Sequence, residues 1–166
     1  MKLALQAIND LERVGLIQRP AIGGAMALLF HDEPVATYDL DIFCILPQAG
    51  GVVSLEPIYT ALLARGFHAE AEAVVIGGVP VQFIPAYNPL VTEALEHAVS
   101  LTFDSVPVRV LTLEHLMTIM VQTNRPKDRQ RLAMLADNPA IDDSRLRAIL
   151  SRHDLLTAWK LLNPTP

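Results

Sequence analysis

The sequence predicts an α+β fold, a mixed sheet flanked by helices with a C-terminal helical extension, and three observations carry that reading. Short apolar runs of strand character alternate with amphipathic stretches over the first two thirds of the chain. A Gly77-Gly78 pair separates two such runs, the signal of a tight hairpin. After Thr112 the composition turns mainly helical. With 166 residues, 51% of them hydrophobic, the chain can bury a continuous core. Residues 1–111 are therefore assigned to an α/β core and residues 112–166 to a helical extension packed on it as one compact unit.

The elements follow in order. Leu3, Leu5, Ile8, Leu11 and Val14 recur at helical spacing and Gly15 supplies a stop. Pro20-Ala21-Ile22 allows only a short strand, Gly23-Gly24 turns the chain, and Ala25 to Phe30 suits a helix. His31-Asp32-Glu33-Pro34 ends it as a loop. Thr37 to Leu46 reads as a buried strand that opens with alternating polar and apolar residues. Ser54 can cap a helix from Leu55 to Arg65, closed by Gly66. Ala73–Ile76 and Val79–Ile84 flank the glycine pair, with Pro80 favouring an edge or bulge because it lacks a ladder donor. Asn88-Pro89 opens a helix to about Val99, and a short strand pair follows across Asp104-Ser105. In the extension Thr112 caps Leu113 to Thr123, Pro126 stands in the first turn of the next helix, and Asp142-Asp143-Ser144 begins another.

Composition excludes several classes of function. A net charge of −5 argues against a broad basic face that wraps nucleic acid. The single cysteine, Cys44, lies in the apolar run Ile42–Leu46, so an intrachain disulfide framework and a multi-cysteine zinc site are both excluded, and core packing is its expected role. The N-terminal segment is interrupted by Asn9, Asp10, Glu12 and Arg13 before an apolar core of signal-peptide length develops. No apolar run approaches the roughly 20 residues of a membrane span, and a cytoplasmic location is expected. The five histidines are scattered without a pair at metal-ligand spacing, although His31 stands in a loop between Gly23-Gly24 and the acidic pair below. No serine occupies a glycine-flanked nucleophile turn. Trp159 reads as a packing anchor.

Asp39 and Asp41 are two residues apart on the expected strand, so both carboxylates project from one face. Paired carboxylates grip a hard cation such as Mg²⁺, which takes oxygen ligands and shares them with substrate phosphates. Taken alone, an Asp-x-Asp pair also suits a strand entrance that faces water. The context narrows the choice: Ile22-Gly23-Gly24-Ala25, a short helix, then Thr37-Tyr38-Asp39-Leu40-Asp41-Ile42 resembles the signature of the DNA polymerase β nucleotidyltransferase superfamily. That resemblance implies a nucleotidyltransferase-like fold, an NTP cradled by Gly23 and Gly24 with Thr37 beside it, and Mg²⁺, or Mn²⁺ in its place, on Asp39 and Asp41 as metal-binding and catalytic residues. A second stretch, Leu113-Glu114-His115-Leu116 leading to Asn124-Arg125-Pro126-Lys127-Asp128-Arg129 and Leu132–Leu135, resembles bacterial abortive-infection, type IV toxin-antitoxin nucleotidyltransferases. It implies nucleotide contacts from Arg125, Lys127 and Asp128 and an antitoxin or other protein partner. The residues themselves also allow a plain helix start, with Pro126 in the first turn, Asp128 complementing the helix dipole and Lys127 solvated.

Three positions depart from the family pattern. Where active members place a third carboxylate, the hairpin strand offers Gln82, which is neutral and cannot take a proton from an attacking hydroxyl. Glu70 and Glu72 are nearby acids that could substitute. Met120-Val121 replaces an expected lysine, and Pro34-Val35-Ala36 lacks an arginine, so phosphate-directed charge is reduced. Two functions follow: Mg²⁺-dependent transfer of a nucleotidyl group from an NTP to a hydroxyl acceptor (protein, RNA or small molecule), or a catalytically degenerate domain of the same fold that binds a nucleotide or a protein.

Overall fold

The computed structural model describes residues 1–47, 53–136 and 138–162; the last four residues of the expected extension lie outside them. The chain divides into two compact units, Met1–Leu111 and Thr112–Pro166.

In the first unit a helix α1 (Lys2–Arg13) precedes β1 (Gln18–Ile22), α2 (Gly24–Phe30), β2 (Leu40–Ile45) and α3 (Glu56–Ala64). Then come β3 (His68–Glu70), β4 (Ala73–Ile76), β5 (Val79–Pro85), α4 (Pro89–Glu96), β6 (Val99–Phe103) and β7 (Val106–Val110). The seven strands form one mixed sheet in the order β3-β4-β5-β2-β1-β7-β6. β1 pairs antiparallel with β2 and parallel with β7, while β2 runs parallel to β5. The predicted α+β class and mixed sheet are what the chain adopts.

Local chemistry explains most boundaries. α1 buries Ala4, Leu5, Ala7, Ile8 and Leu11, one stripe at helical spacing, so its stability comes from packing. The β4–β5 hairpin turns through Gly77 and Gly78, both at positive φ (59° and 79°), the backbone that a two-residue turn requires. Pro80 fits because β2 begins its pairing with β5 only at Val81; at Pro80 the strand has a partner on one side alone. Asn88 caps α4 by accepting from the Val91 amide at 2.8 Å.

The structure shifts several boundaries and adds one strand. β2 starts at Leu40 rather than Thr37, because Leu40 is the first residue with a ladder partner and the Thr37 hydroxyl is engaged locally by the Asp39 carboxylate. α4 stops at Glu96, and Val99 opens β6 instead of ending the helix; Val99 pairs with Val110 across a hairpin turned by Asp104 and Ser105. α1 ends at Arg13, ahead of Val14. β3 carries no apolar pattern, since all three of its residues are exposed, and it exists only through its pairing with β4.

The second unit comprises α5 (Leu113–Thr123), α6 (Pro126–Leu135), α7 (Asp143–Arg152) and α8 (Leu156–Leu162), with α6, α7 and α8 each packed on α5. Thr112 caps α5 through the His115 amide, and Asp142 caps α7 through the Arg145 amide. Glu114 is buried, yet its carboxylate accepts from the Asp142 amide at 3.2 Å and lies 3.9 Å from Arg145, which satisfies the charge inside the bundle.

Candidate functional site

Strand alternation decides where the acids point. Along β2, Leu40, Ile42 and Cys44 share one face and are buried to 1% exposure or less, which assigns Asp41 and Phe43 to the opposite face. On the neighbouring parallel strand Leu40 pairs with Val81, Asp41 with Gln82 and Ile42 with Phe83. Val81 and Phe83 therefore join the core, and Gln82 stands beside Asp41 on the other face.

The two glycines sit against that face. Gly23 is extended (φ −122°, ψ −154°) and its amide donates to the Asp41 carbonyl at 2.9 Å, which fixes the start of α2 on β2. A Cβ on Gly23 would fall 2.3 Å from the Phe43 ring, and one on Gly24 would fall 1.9 Å from Asp41 Oδ2. Gly24 also holds φ at +56°, where side chains are disfavoured. The glycine pair thus makes room for the two β2 side chains of this face, and the Asp41 carboxylate occupies the space that any side chain at position 24 would need.

Asp39 is exposed and lies one residue before β2, so its position is set by the loop and by the Thr37 hydroxyl, which donates to its carboxylate. The donor set suits a hard divalent cation: carboxylate oxygens from two residues at the entrance of one strand, next to backbone stripped of Cβ. Among the described residues no third histidine or carboxylate joins Asp39 and Asp41 in a cluster of potential metal ligands.

The third-acid position carries a contact that sequence reasoning missed. Gln82 Nε2 donates to Glu72 Oε2 at 3.2 Å, and the Tyr59 hydroxyl holds the same turn by donating to the Glu72 carbonyl at 2.7 Å. Burial, with the Glu72 charge adding to it, pushes the Tyr59 hydroxyl above its ordinary pKa of 10. The signal lay in the hairpin register: Val74 opposite Val81, continued by one residue, sets Ala73 opposite Gln82 and brings Glu72 alongside. Glu70 ends β3, where it pairs with Ala73. His31 donates from Nε2 to the Leu111 carbonyl at 2.8 Å.

Arg125, Lys127 and Asp128 belong to the helical unit. Asp128 is fully buried and reaches back across the α5–α6 joint, where it accepts from the Thr123 hydroxyl (2.7 Å), Arg125 Nε (2.7 Å) and the Arg125 amide (3.3 Å). Burial alone would raise its pKa, but the hydrogen bonds from Arg125 and Thr123 and the guanidinium charge outweigh it and hold the carboxyl below its ordinary 3.8. Asn124 takes the left-handed conformation that ends α5 (φ 50°, ψ 30°). Asp128 thus organises the joint, while Lys127 and half of the Arg125 side chain face outward. Met120 is buried.

No family model and no curated protein matches the chain. Among solved structures it is similar to the crystal structure of an antigenic nucleotidyltransferase-like protein from Paracoccidioides brasiliensis, at 16% identity and a TM-score of 0.53, over 95% of this chain and 90% of that one. At that identity the likeness speaks for architecture alone. The chain has a nucleotidyltransferase-like α+β fold.

Proposed function

We propose that the chain binds an NTP together with Mg²⁺ or Mn²⁺ and moves a nucleotidyl group to a hydroxyl acceptor, with pyrophosphate leaving. The observation that carries this reading is the seat of the Asp41 carboxylate directly against Gly24, on the sheet face that also presents Gln82. In this reading Gly23 and Gly24 let the backbone approach the phosphates and Thr37 orients the Asp39 carboxylate. Asp39 and Asp41 hold the cation, which when bound neutralises phosphate charge. Incubation with each NTP labelled at the α-phosphate tests the transfer, with label appearing on an acceptor or pyrophosphate being released. Release that persists unchanged in a folded Asp41→Ala protein would contradict the assignment.

A second reading, a domain of the same fold that binds nucleotide without turnover, is favoured by one contact. Gln82 is neutral, and its amide engages the Glu72 carboxylate, an acid that could otherwise substitute at this position. Binding without product in the same incubation selects this reading. The resemblance of Arg125-Pro126-Lys127-Asp128 to the abortive-infection proteins extends the proposal to a cytoplasmic toxin with an antitoxin-type protein partner. Growth arrest on expression, abolished by Asp41→Ala, is the corresponding test. No helix among the described residues is long and apolar enough to cross a membrane.

A further inference from the structure

A groove of about 350 Å³ opens between α1 and the β6–β7 hairpin, lined by Asn9, Glu12, Pro20, Ser100, Pro107 and Arg109. These residues are distinct from Gly23, Gly24, Asp39, Asp41 and Gln82. A smaller void of about 20 Å³ beside it shares Asn9, Pro20, Val108 and Arg109 and is otherwise walled by apolar residues of α1, β1 and β2.

Arg109 is unusual among the cations of this unit. Its Nη2 donates to the Leu95 carbonyl, which anchors the guanidinium on the end of α4, yet its Nη1 is buried without any hydrogen-bond partner. A buried donor left without an acceptor is costly, more so when it belongs to a charged group, so the protein alone leaves the Arg109 guanidinium under-satisfied. Burial and the nearby Arg19 charge lower the pKa of Arg109, with Glu12 opposing them. Ser100 pairs directly with Arg109 across the ladder, so its hydroxyl is on the same face and offers a second donor. Asn9 Nδ2 donates to the Pro107 carbonyl at 3.0 Å, and the Glu12 carboxylate accepts from the Arg19 amide at 3.0 Å. Arg109 and Ser100 thus set a cation and a hydroxyl side by side on one sheet face at the groove, whose volume is that of a small-molecule site.

We infer that this groove is a binding site for a small oxyanion-bearing molecule, a carboxylate or a phosphate, held by the Arg109 guanidinium and the Ser100 hydroxyl. A planar guanidinium matches the two oxygens of such a group, and the low-dielectric wall strengthens the contact. The site is independent of nucleotide binding at Asp39 and Asp41.

Thermal unfolding in acetate and, separately, in inorganic phosphate tests it, each against sodium chloride at equal ionic strength. The expected result for one of the two is a midpoint rise of about 2–5 °C that saturates between about 1 and 50 mM. Which anion gives the rise identifies a carboxylate or a phosphate as the ligand group. The rise is lost in Arg109→Met and in Ser100→Trp, which fills the groove from an exposed strand and keeps the test decisive if Arg109→Met does not fold. It persists in Asp41→Ala, which separates this site from the nucleotide site. No rise beyond the chloride control for either anion, or a rise that survives in the folded groove variants, overturns the inference.

Discussion

Replacing Gly24 with alanine probes the junction of fold and site most sharply. Two costs add. The backbone at φ +56° is disfavoured for a residue with a Cβ by about 1 kcal/mol or somewhat more. The new Cβ would lie 1.9 Å from Asp41 Oδ2 and 2.8 Å from its Cγ, so the carboxylate must retreat by about 1 Å or more, or α2 must lift from β2. Overpacking of that kind typically adds about 1–2 kcal/mol. A total near 2–3 kcal/mol corresponds to a midpoint lower by roughly 5–10 °C in a chain of this size. Calorimetry and urea unfolding measure it, and a double-mutant cycle isolates the clash: in an Asp41→Gly background, Gly24→Ala costs only the backbone strain, about 1 kcal/mol. An equal cost in both backgrounds would refute the claim that Asp41 fills the space beside Gly24. The same variant is expected to weaken Mg²⁺-dependent NTP binding more than tenfold, because the carboxylate no longer has its place.

Asp128 makes stability depend on acid. Its folded pKa is depressed, so its contribution is complete above the ordinary carboxylate value of 3.8 and fades as pH falls through the lower folded value. Asp128→Asn should cost about 2 kcal/mol near neutral pH, with the gap to wild type closing below pH 3.8 in pH-dependent chemical unfolding; a constant gap argues against the charged joint. The Cys44 thiol, pushed up to about 12 by burial, should resist aromatic disulfide reagents at pH ~8 in the native protein and react fully once unfolded. Rapid labelling of the native state would show that β2 opens. Gln82→Asp sets a carboxylate beside Glu72 and Asp41, and the folded protein should lose about 0.5–1 kcal/mol that millimolar Mg²⁺ restores. If Mg²⁺ stabilises it no more than wild type, the acids do not share a cation.

Elements whose signal is local were legible from residues alone. The Gly77-Gly78 hairpin, the Thr112 cap, the helix start at Asp142-Asp143-Ser144 and the apolar stripe of α1 each announce themselves within a few residues. Where the deciding interaction is distant in sequence, neighbouring residues carry no signal. β3 is entirely exposed and exists through β4, β2 waits for Val81 before it begins, and Val99 follows its partner Val110 into the sheet. The site divides in the same way. Spacing places Asp41 on one face of a strand, but the reason for Gly24 is contact with that carboxylate, which only the packing of α2 on β2 reveals. The approach of Glu72 to Gln82 and the buried Nη1 of Arg109 likewise depend on neighbours 10 or more residues away. For Asp128, the helix-start reading and the structure agree that its carboxylate serves the α6 N-terminus.

Calorimetric titration of the protein with each NTP, with and without Mg²⁺, alongside Asp39→Ala and Asp41→Ala, asks whether these acids form a cation-dependent nucleotide site. Binding of at least one NTP is expected to require the cation and to be lost in both folded variants. Cation-independent binding, or binding that both variants keep, would contradict it.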